Sequence, residues 1–356
     1  MNLIILDKSF HAVCVVDTYE SFIWTDRYGE CGDFELYIPV SSEILNNIKQ
    51  EYYILNDLSE HTMVIESILI ESDIENGSHL RITGRSLESI LDRRVVWGQM
   101  VVSGSIQNCI HTILDACFIN PTNATRKVDN FVFKETTDQY LTNTTMSAQY
   151  NGDNVYDIVT KICSEHSIGF KICLDDDYQL VFELYSGVDR SYSQSENSYV
   201  VFSPSFDNIL NSNYIETISS LKNVALVGGE GEGSSRKYAA VGDVSGLDRR
   251  EIFADAGSVS SSTEDATISD NEYLAQLEQK GRETLAENGK ITSFEGECET
   301  ASMFVYGKDF SKGDIVQIAN EYGHEARARV VEIIISEDES GFSVYPTFAT
   351  ITQEGE

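Results

Sequence analysis

Basic residues are scarce in this sequence. Its 356 residues include 25 Lys and Arg against 58 Asp and Glu, a formal net charge of −33. A protein that grips nucleic acid over its whole surface needs clustered Lys and Arg to displace counterions from phosphate, so that class is excluded. An anionic membrane surface is excluded as a partner on the same ground. Long apolar runs are missing too. No stretch approaches the roughly 18 residues that a membrane-spanning helix needs. The N-terminus, MNLIILDKSFHAVCVVD, has no basic leader and is broken at Asp7 and Lys8, which predicts no signal peptide, synthesis in a reducing cytoplasm and no stable membrane insertion. The seven cysteines (14, 31, 109, 117, 163, 173 and 298) are odd in number and irregularly spaced, without C-x-x-C. Disulfide frameworks and metal clusters both predict closer, paired spacing, so these read as buried thiols.

What is present is core-forming material: 41% hydrophobic and 10% aromatic residues. That composition excludes disorder, and the length predicts two or three domains. Residues 1–97 read as β-rich. GDFELYIP (32–39) puts Phe34, Leu36 and Ile38 on one face with a period of two, TMVIESILIES (62–72) continues in that style, and Asn76-Gly77 signals a hairpin. Short helices are predicted at 41–50, capped by Ser41 or Ser42, and at 86–94. In 98–200, the apolar spacing of SIQNCIHTILDACF (105–118) and NVYDIVTKICSEHSIG (154–169) predicts two helices, the second capped by Asp153 and ended by Gly169. Residues 120–152 read as a long loop or irregular strands, and 170–185 as a hairpin turning at Asp175–Asp177. From 201 the chain returns to strands. SVSSSTEDATISD (258–270) reads as a mobile linker into a helix over 271–289, capped by Asp270 and stopped by Gly289. The last segment is strand and turn, with turns at Gly307, Gly313, Gly323 and Gly341, as in a small barrel.

The expected fold is therefore β-rich α+β, with two small β-barrel-like domains and an inserted α+β module. The boundaries are 1–97 for the first β-barrel-like domain, 98–200 for the α+β module, 201–257 for returning strands packed with the barrels, 258–292 for linker and helix, and 293–356 for the second β-barrel-like domain. The segments 1–97, 98–292 and 293–356 carry net charges of −10, −14 and −9, so the folded surfaces themselves are acidic.

Catalytic patterns are absent. Gly228-Gly229-Glu230-Gly231-Glu232-Gly233 follows a strand, but its spacing fits no phosphate loop, a strand follows it, and two glutamates repel phosphate; it reads as a flexible hairpin loop. There is no G-x-S-x-G, and the six histidines never form H-E-x-x-H. His111 and His166 fall on helices and read as structural or surface residues. Asp175-Asp176-Asp177 lacks the spacing of a calcium loop. No cofactor, metal or catalytic residue is expected, and the chain is read as a non-enzyme.

Several long blocks carry a resemblance: WTDRYGECGDFELYIP (24–39), ITGRSLESILDRRVVWGQ (82–99), SQSENSYVVFSPSFDNILNSNY (193–214), LKNVALVGGEGEG (221–233), SGLDRREIFADA (245–256), and YGKDFSKGDIVQI with ARVVEI and GFSVYPTFA (306–349). In this order, from about Leu3 to Thr350, the chain resembles the siphophage tail-tip or baseplate hub family, encoded among tail genes of phages and prophages of Gram-positive bacteria. The resemblance is weakest over 120–152 and 258–270. It implies a structural protein of the virion tail tip, similar to the contractile-phage hub. Such a hub is a homotrimer whose two barrels per subunit meet a six-fold tube on one side and a three-fold fibre or spike on the other. The implied partners are the distal tail protein ring, the tape-measure protein and the tail fibre or spike, with transient passage of DNA and no specific binding. The strands GDFELYIP and GDIVQIAN are read as marking equivalent barrels. No peptidase or fibre domain is carried over.

The resemblance gives the charge a role. A carboxylate-lined lumen neutralises no phosphates and lets DNA slide, and Glu230 and Glu232 are the candidate lumen-facing residues. The competing reading is that the carboxylates keep an abundant self-assembling protein soluble. A cell-wall hydrolase or glycan-binding tail protein with an unrecognised carboxylate pair, and a module of a contractile injection particle, stay open as alternatives.

Overall fold

A computed structural model describes residues 2–351 apart from 74–76, 210, 263–267, 298–302, 321 and 323–324. Asn76, Cys298, Gly323 and His324 thus lie outside the described residues. Strands make up 42% and helices 22% of the chain, which bears out the β-rich α+β reading.

The N-terminal segment runs β1 (Leu3–Leu6), β2 (Ala12–Val16), β3 (Ser21–Arg27), β4 (Asp33–Pro39), α1 (Ser42–Asn47), β5 (Tyr53–Asn56), β6 (Thr62–Asp73) and β7 (Gly77–Ser86). The middle runs β8 (Gln99–Ser105), α2 (Ile106–Leu114), β9 (Phe131–Lys134), α3 (Gln139–Asn143), β10 (Thr145–Asn151), α4 (Val155–Glu165), β11 (Gly169–Leu174) and β12 (Leu180–Tyr185). It continues through β13 (Val201–Phe202), β14 (Asn211–Thr217), β15 (Val224–Gly228), β16 (Tyr238–Val241), β17 (Glu251–Asp255) and α5 (Asp270–Ala286). The chain finishes with β18 (Ile291–Glu297), β19 (Ile315–Ala319), β20 (Glu325–Asp338) and β21 (Gly341–Thr350).

Strand β4 buries Phe34, Leu36 and Ile38 as its alternation requires, and Ser41 caps α1 through its hydroxyl. Several local details differ from expectation. The short helix at 87–93 is a 3-10 helix, with Leu87 and Leu91 buried in the apolar cluster around α2 and α4. Asn154, not Asp153, caps α4; that helix stops at His166, and Gly169 instead opens β11 because its α-carbon lies against the Tyr28 ring. Ser269, one residue early, caps α5. Of the two readings of 120–152, the irregular strands hold: the stretch contains β9 and β10, with the short helix α3 between them.

The two β-rich ends of the chain form one sheet. Its pairing path is β14-β18-β21-β20-β3-β4-β7-β6-β5-β1-β2, with β13 and β19 attached beside β20, and among the described residues it does not close into a barrel. The link between the halves is the antiparallel β3–β20 pair, Trp24 opposite Ile335. One apolar cluster spans both halves, including Leu3, Phe22, Trp24, Ile82, Phe202, Val330 and Phe348. A second holds α2 and α4 against β8 to β12, and a third holds α5 on the β16-β15-β17 sheet.

Within the large sheet, two units repeat. In the first, β5 pairs with β6 and β6 with β7; in the second, β19 pairs with β20 and β20 with β21. Each long strand is bulged, between Ile65 and Ser67 in β6 and between Val330 and Glu332 in β20. Before each bulge the backbone makes the same two bonds: Ile65 N–H to Tyr52 O and Glu51 N–H to Ile65 O, against Val330 N–H to Asp314 O and Gly313 N–H to Val330 O. Glu51 and Gly313 both have positive φ, 65° and 92°. Each hairpin ends on an Asp–Gly pair, Asp73 with Gly77 and Asp338 with Gly341. The equivalence therefore runs from 51–86 to 313–350. The echo between GDFELYIP and GDIVQIAN is not part of it, since β4 pairs with β3 and β7 whereas β19 stands where β5 does.

Candidate functional site

Three parts of the fold meet at a buried charged joint. Glu88, on the turn after β7, is fully buried, and its Oε1 accepts from His61 Nδ1 at 2.9 Å and from the Ile172 backbone N–H of β11 at 2.9 Å. The other ring nitrogen of His61 meets Lys312 Nζ, from the loop before β19. Beside them, the buried Asp26 accepts from Trp24 Nε1 at 2.9 Å and from Ser59 Oγ at 2.7 Å, and Ser59 Oγ accepts from the His61 backbone. Burial opposes ionisation of Glu88, but His61, Ser86 and Lys312 outweigh it and bring the carboxyl down to about 2. Burial also lowers the Lys312 ammonium.

A second joint lies close by. Tyr28 fits between Gly169 and Gly313, at each of which a Cβ would lie 2.4 Å from its ring. Arg329 stacks over that ring at 5.1 Å and donates to Gly313 O at 2.7 Å. The buried Asp314 accepts from Arg190 Nε at 2.7 Å and from the Val188 backbone at 2.8 Å, tying the chain that leaves β12 to the start of β19. The first joint is not fully satisfied: Glu88 Oε2 is buried without a hydrogen-bond partner.

The acidic loop between β15 and β16 is a hairpin connection, as its glycines predict, but an anchored one. Arg236 donates to the carbonyls of Gly228 and Gly229, and Glu230 N–H donates to Tyr273 Oη at 2.7 Å. The Glu230 carboxylate accepts from Ser260 Oγ at 3.1 Å and from the Ser261 backbone at 2.8 Å, and the Ser261 N–H holds its pKa below the usual range. Glu232 is exposed. The 258–270 segment is correspondingly docked at both ends, with Val259 and Ile268 buried, while 263–267 lies outside the described residues.

An open cleft of about 680 Å³ lies between α4 and the strands β3, β20 and β21, lined by Arg27, Tyr28, Cys163, Arg329 and Glu332 among others. Within it Arg27 donates to Glu332 at 2.7 Å, and burial pushes the Cys163 thiol up, away from a reactive thiolate. Among the described residues no group of three His, Cys, Asp or Glu could hold a metal ion, and no helix is long and apolar enough to cross a membrane. His111 stacks on Phe133 at 4.5 Å, and His166 caps α4 beside Tyr140, both in structural roles. Cys109, Cys117 and Cys163 are buried, and Cys14, Cys31 and Cys173 half-buried.

Sequence patterns do not single out the Glu88–His61–Lys312 joint, because its members are distant in the chain. The available signal is that Glu88 and Lys312 fall inside two of the resembling blocks, 82–99 and 306–349.

A family model described as "Siphovirus ReqiPepy6 Gp37-like protein" matches residues 2–349. Three solved structures share the fold. The tail protein from Neisseria meningitidis MC58 superposes with a TM-score of 0.58 at 14% identity, covering 98% of this chain and 96% of that one. The prophage MuSo2 43 kDa tail protein from Shewanella oneidensis gives 0.58 at 11%, covering 99% and 98%. Prophage tail protein gp18 from Listeria monocytogenes EGD-e gives 0.55 at 13%, covering 99% and 96%. No curated protein sequence matches the chain.

Proposed function

The chain belongs to the Siphovirus ReqiPepy6 Gp37-like family, and from that membership we propose that it is a structural component of a phage tail tip or baseplate. In this reading three copies form a hub ring that closes the tail tube, joins the distal tail ring to the fibre or spike, and lets DNA pass. The observation that carries it is the internal repeat: 51–86 and 313–350 are equivalent units in one chain, so three chains present six similar modules to a six-fold tube. The two units stand for the two barrel-like modules. Their shared sheet and the charged joint between them make one rigid subunit, as a part that transmits load from fibre to tube requires.

The acidic surface belongs to the same proposal. Many cations are already committed within the chain, as with Arg85 to Glu66 and Lys171 to Glu60, so the exposed excess is carboxylate. Glu232 is the stronger candidate for facing DNA, because Glu230 is held by Ser260 and Ser261. The decisive experiment images purified tails with the chain labelled, alongside native mass spectrometry of the tip. A three-fold density at the distal end of the tube is expected, and absence of the chain from tails overturns the reading. Zymography on Gram-positive cell walls addresses the non-enzymatic part, where a clearing band would overturn it.

A further inference from the structure

Strands β15, β16 and β17 and helix α5 lie between β14 and β18 in the chain, and a single ribbon carries them. In that ribbon β14 and β18 pair antiparallel, from Asn211 opposite Glu297 to Thr217 opposite Ile291. Beyond it the two crossings run side by side, with the Lys222 N–H donating to Asn288 O at 2.8 Å. One crossing is a turn at 218–221, closed by the Leu221 N–H on Ile218 O at 3.2 Å, and the other contains Gly289. The inserted unit has its own apolar cluster, including Ala225, Val227, Tyr273 and Leu277. It shares no residue with the cluster that holds α2 and α4.

Where this unit meets the middle of the chain, the buried groups are polar. Helix α5 turns Tyr273, Leu277 and Gly281 toward its own sheet, and the buried Gln276, Gln279 and Glu283 toward β10 and α4. From β10, Gln149 Nε2 donates to Ser260 O at 3.2 Å and to Gln276 Oε1 at 3.4 Å, and Tyr150 Oη donates to Glu283 Oε1 at 3.2 Å. Gln279 Nε2 donates to Glu165 Oε2 of α4 at 2.5 Å. Arg282 pairs with Glu165 at 3.2 Å, and Lys161 with Glu287 at 3.3 Å.

Such a face separates at low cost. Each of its bonds is exchanged for one to water, whereas parting an apolar core exposes surface that water does not compensate. Gln276 Nε2 is buried here without a partner, and burial raises the Glu165 and Glu283 carboxyls, so hydration relieves all three. Polar contacts between folded units permit relative motion.

We propose that β15, β16, β17 and α5 form a hinged arm, which leaves β10 and α4 as a folded unit and pivots at the end of the β14–β18 ribbon. The arm's apolar core travels with it, and the large sheet and the charged joint stay intact. The arm does not depend on the hub reading.

The test is site-resolved maleimide labelling of the full chain under native conditions. Gln276→Cys reports the polar face, Leu277→Cys reports the arm's own core, and the natural Cys163, fully buried in the middle cluster, is the reference within each sample. Labelling of Cys163 at the parent rate shows that a variant folds. The Gln276→Cys thiol should react about tenfold or more faster than Cys163, as a sub-global opening requires, and the Leu277→Cys thiol should stay as slow as Cys163. Gln279→Cys, on the same face, should match Gln276→Cys, since one opening exposes both. Tyr150→Phe, which removes the hydroxyl bonded to Glu283, should speed the Gln276→Cys thiol further and leave Cys163 unchanged. A Gln276→Cys thiol no faster than Cys163 overturns the arm, because the face then opens only with the whole chain. A Leu277→Cys thiol as fast as Gln276→Cys also overturns it, because the unit then unfolds where it sits.

Discussion

The two repeated units share a backbone and differ in almost every side chain. At the bulge, Glu66 in the first unit has its carbonyl bonded by Gln50 Nε2 at 2.9 Å, while Val331 in the second has its carbonyl bonded by the Tyr28 N–H at 2.9 Å. At the left-handed position before the first strand, one unit has Glu51, with room to pair with Arg93 at 2.9 Å, and the other has Gly313, pressed against Tyr28. At the joint, the first unit and its following turn supply His61 and Glu88, and the segment before the second supplies Lys312. What recurs is the set of main-chain hydrogen bonds, since a bulge strands one carbonyl whichever residue occupies it, and a buried carbonyl must find a donor. What diverged is the chemistry each unit offers its neighbours.

The largest expected effect comes from cutting the joint. Glu88→Ala leaves His61 Nδ1 and the Ile172 N–H buried without their acceptor, removes one of the carboxylates near the buried Lys312, and should cost about 4 kcal/mol in urea unfolding. Adding Lys312→Met should recover a good part of that loss, and strict additivity would show that the two halves are not coupled there. Next comes the asymmetry of the left-handed position. Gly313→Ala drives a Cβ into Tyr28 at positive φ and should cost about 3 kcal/mol, whereas Glu51→Gly should shift stability by only about 1 kcal/mol or less, relief of strain offsetting the exposed pair with Arg93. Equal effects at both sites would break the distinction.

The joint also predicts an acid limb. The Glu88 carboxyl has a folded pKa of about 2 against 4.5 in an ordinary setting. Its contribution is complete above pH 4.5 and is lost as pH falls toward 2. Thermal melts from pH 6 downward should therefore flatten in Glu88→Gln relative to the parent chain, and parallel curves would exclude an ionised Glu88. The smallest effect is at the first bulge. Glu66→Ala removes a half-exposed pair with Arg85 but not the Gln50 bond to the bulge carbonyl, and should cost about 0.5 kcal/mol.

The local fold was legible wherever periodicity or capping chemistry is short-ranged. Phe34, Leu36 and Ile38, the apolar stripes of α2 and α4, and the Ser41 cap all sit where the pattern placed them. The cap of α4 slipped by one residue because Asp153 and Asn154 are both good caps, and only the backbone path decides which carboxamide or carboxylate reaches the first turn. The repeat escaped a motif search because it lies in hydrogen-bond register and not in residue identity. Glu230 and Glu232 look alike in the sequence; their difference arises from Ser260 and Ser261, thirty positions away.

The sequence by itself determined the strand and helix faces, the acidic surface and the absence of catalytic or metal-binding spacing, because these depend on composition and on neighbours within a few positions. Only the tertiary structure decided that the two ends of the chain form one sheet, that the units 51–86 and 313–350 repeat within it, and that His61, Glu88 and Lys312 meet. Those outcomes depend on pairing between segments up to hundreds of residues apart, and no local pattern records which edge a strand will choose.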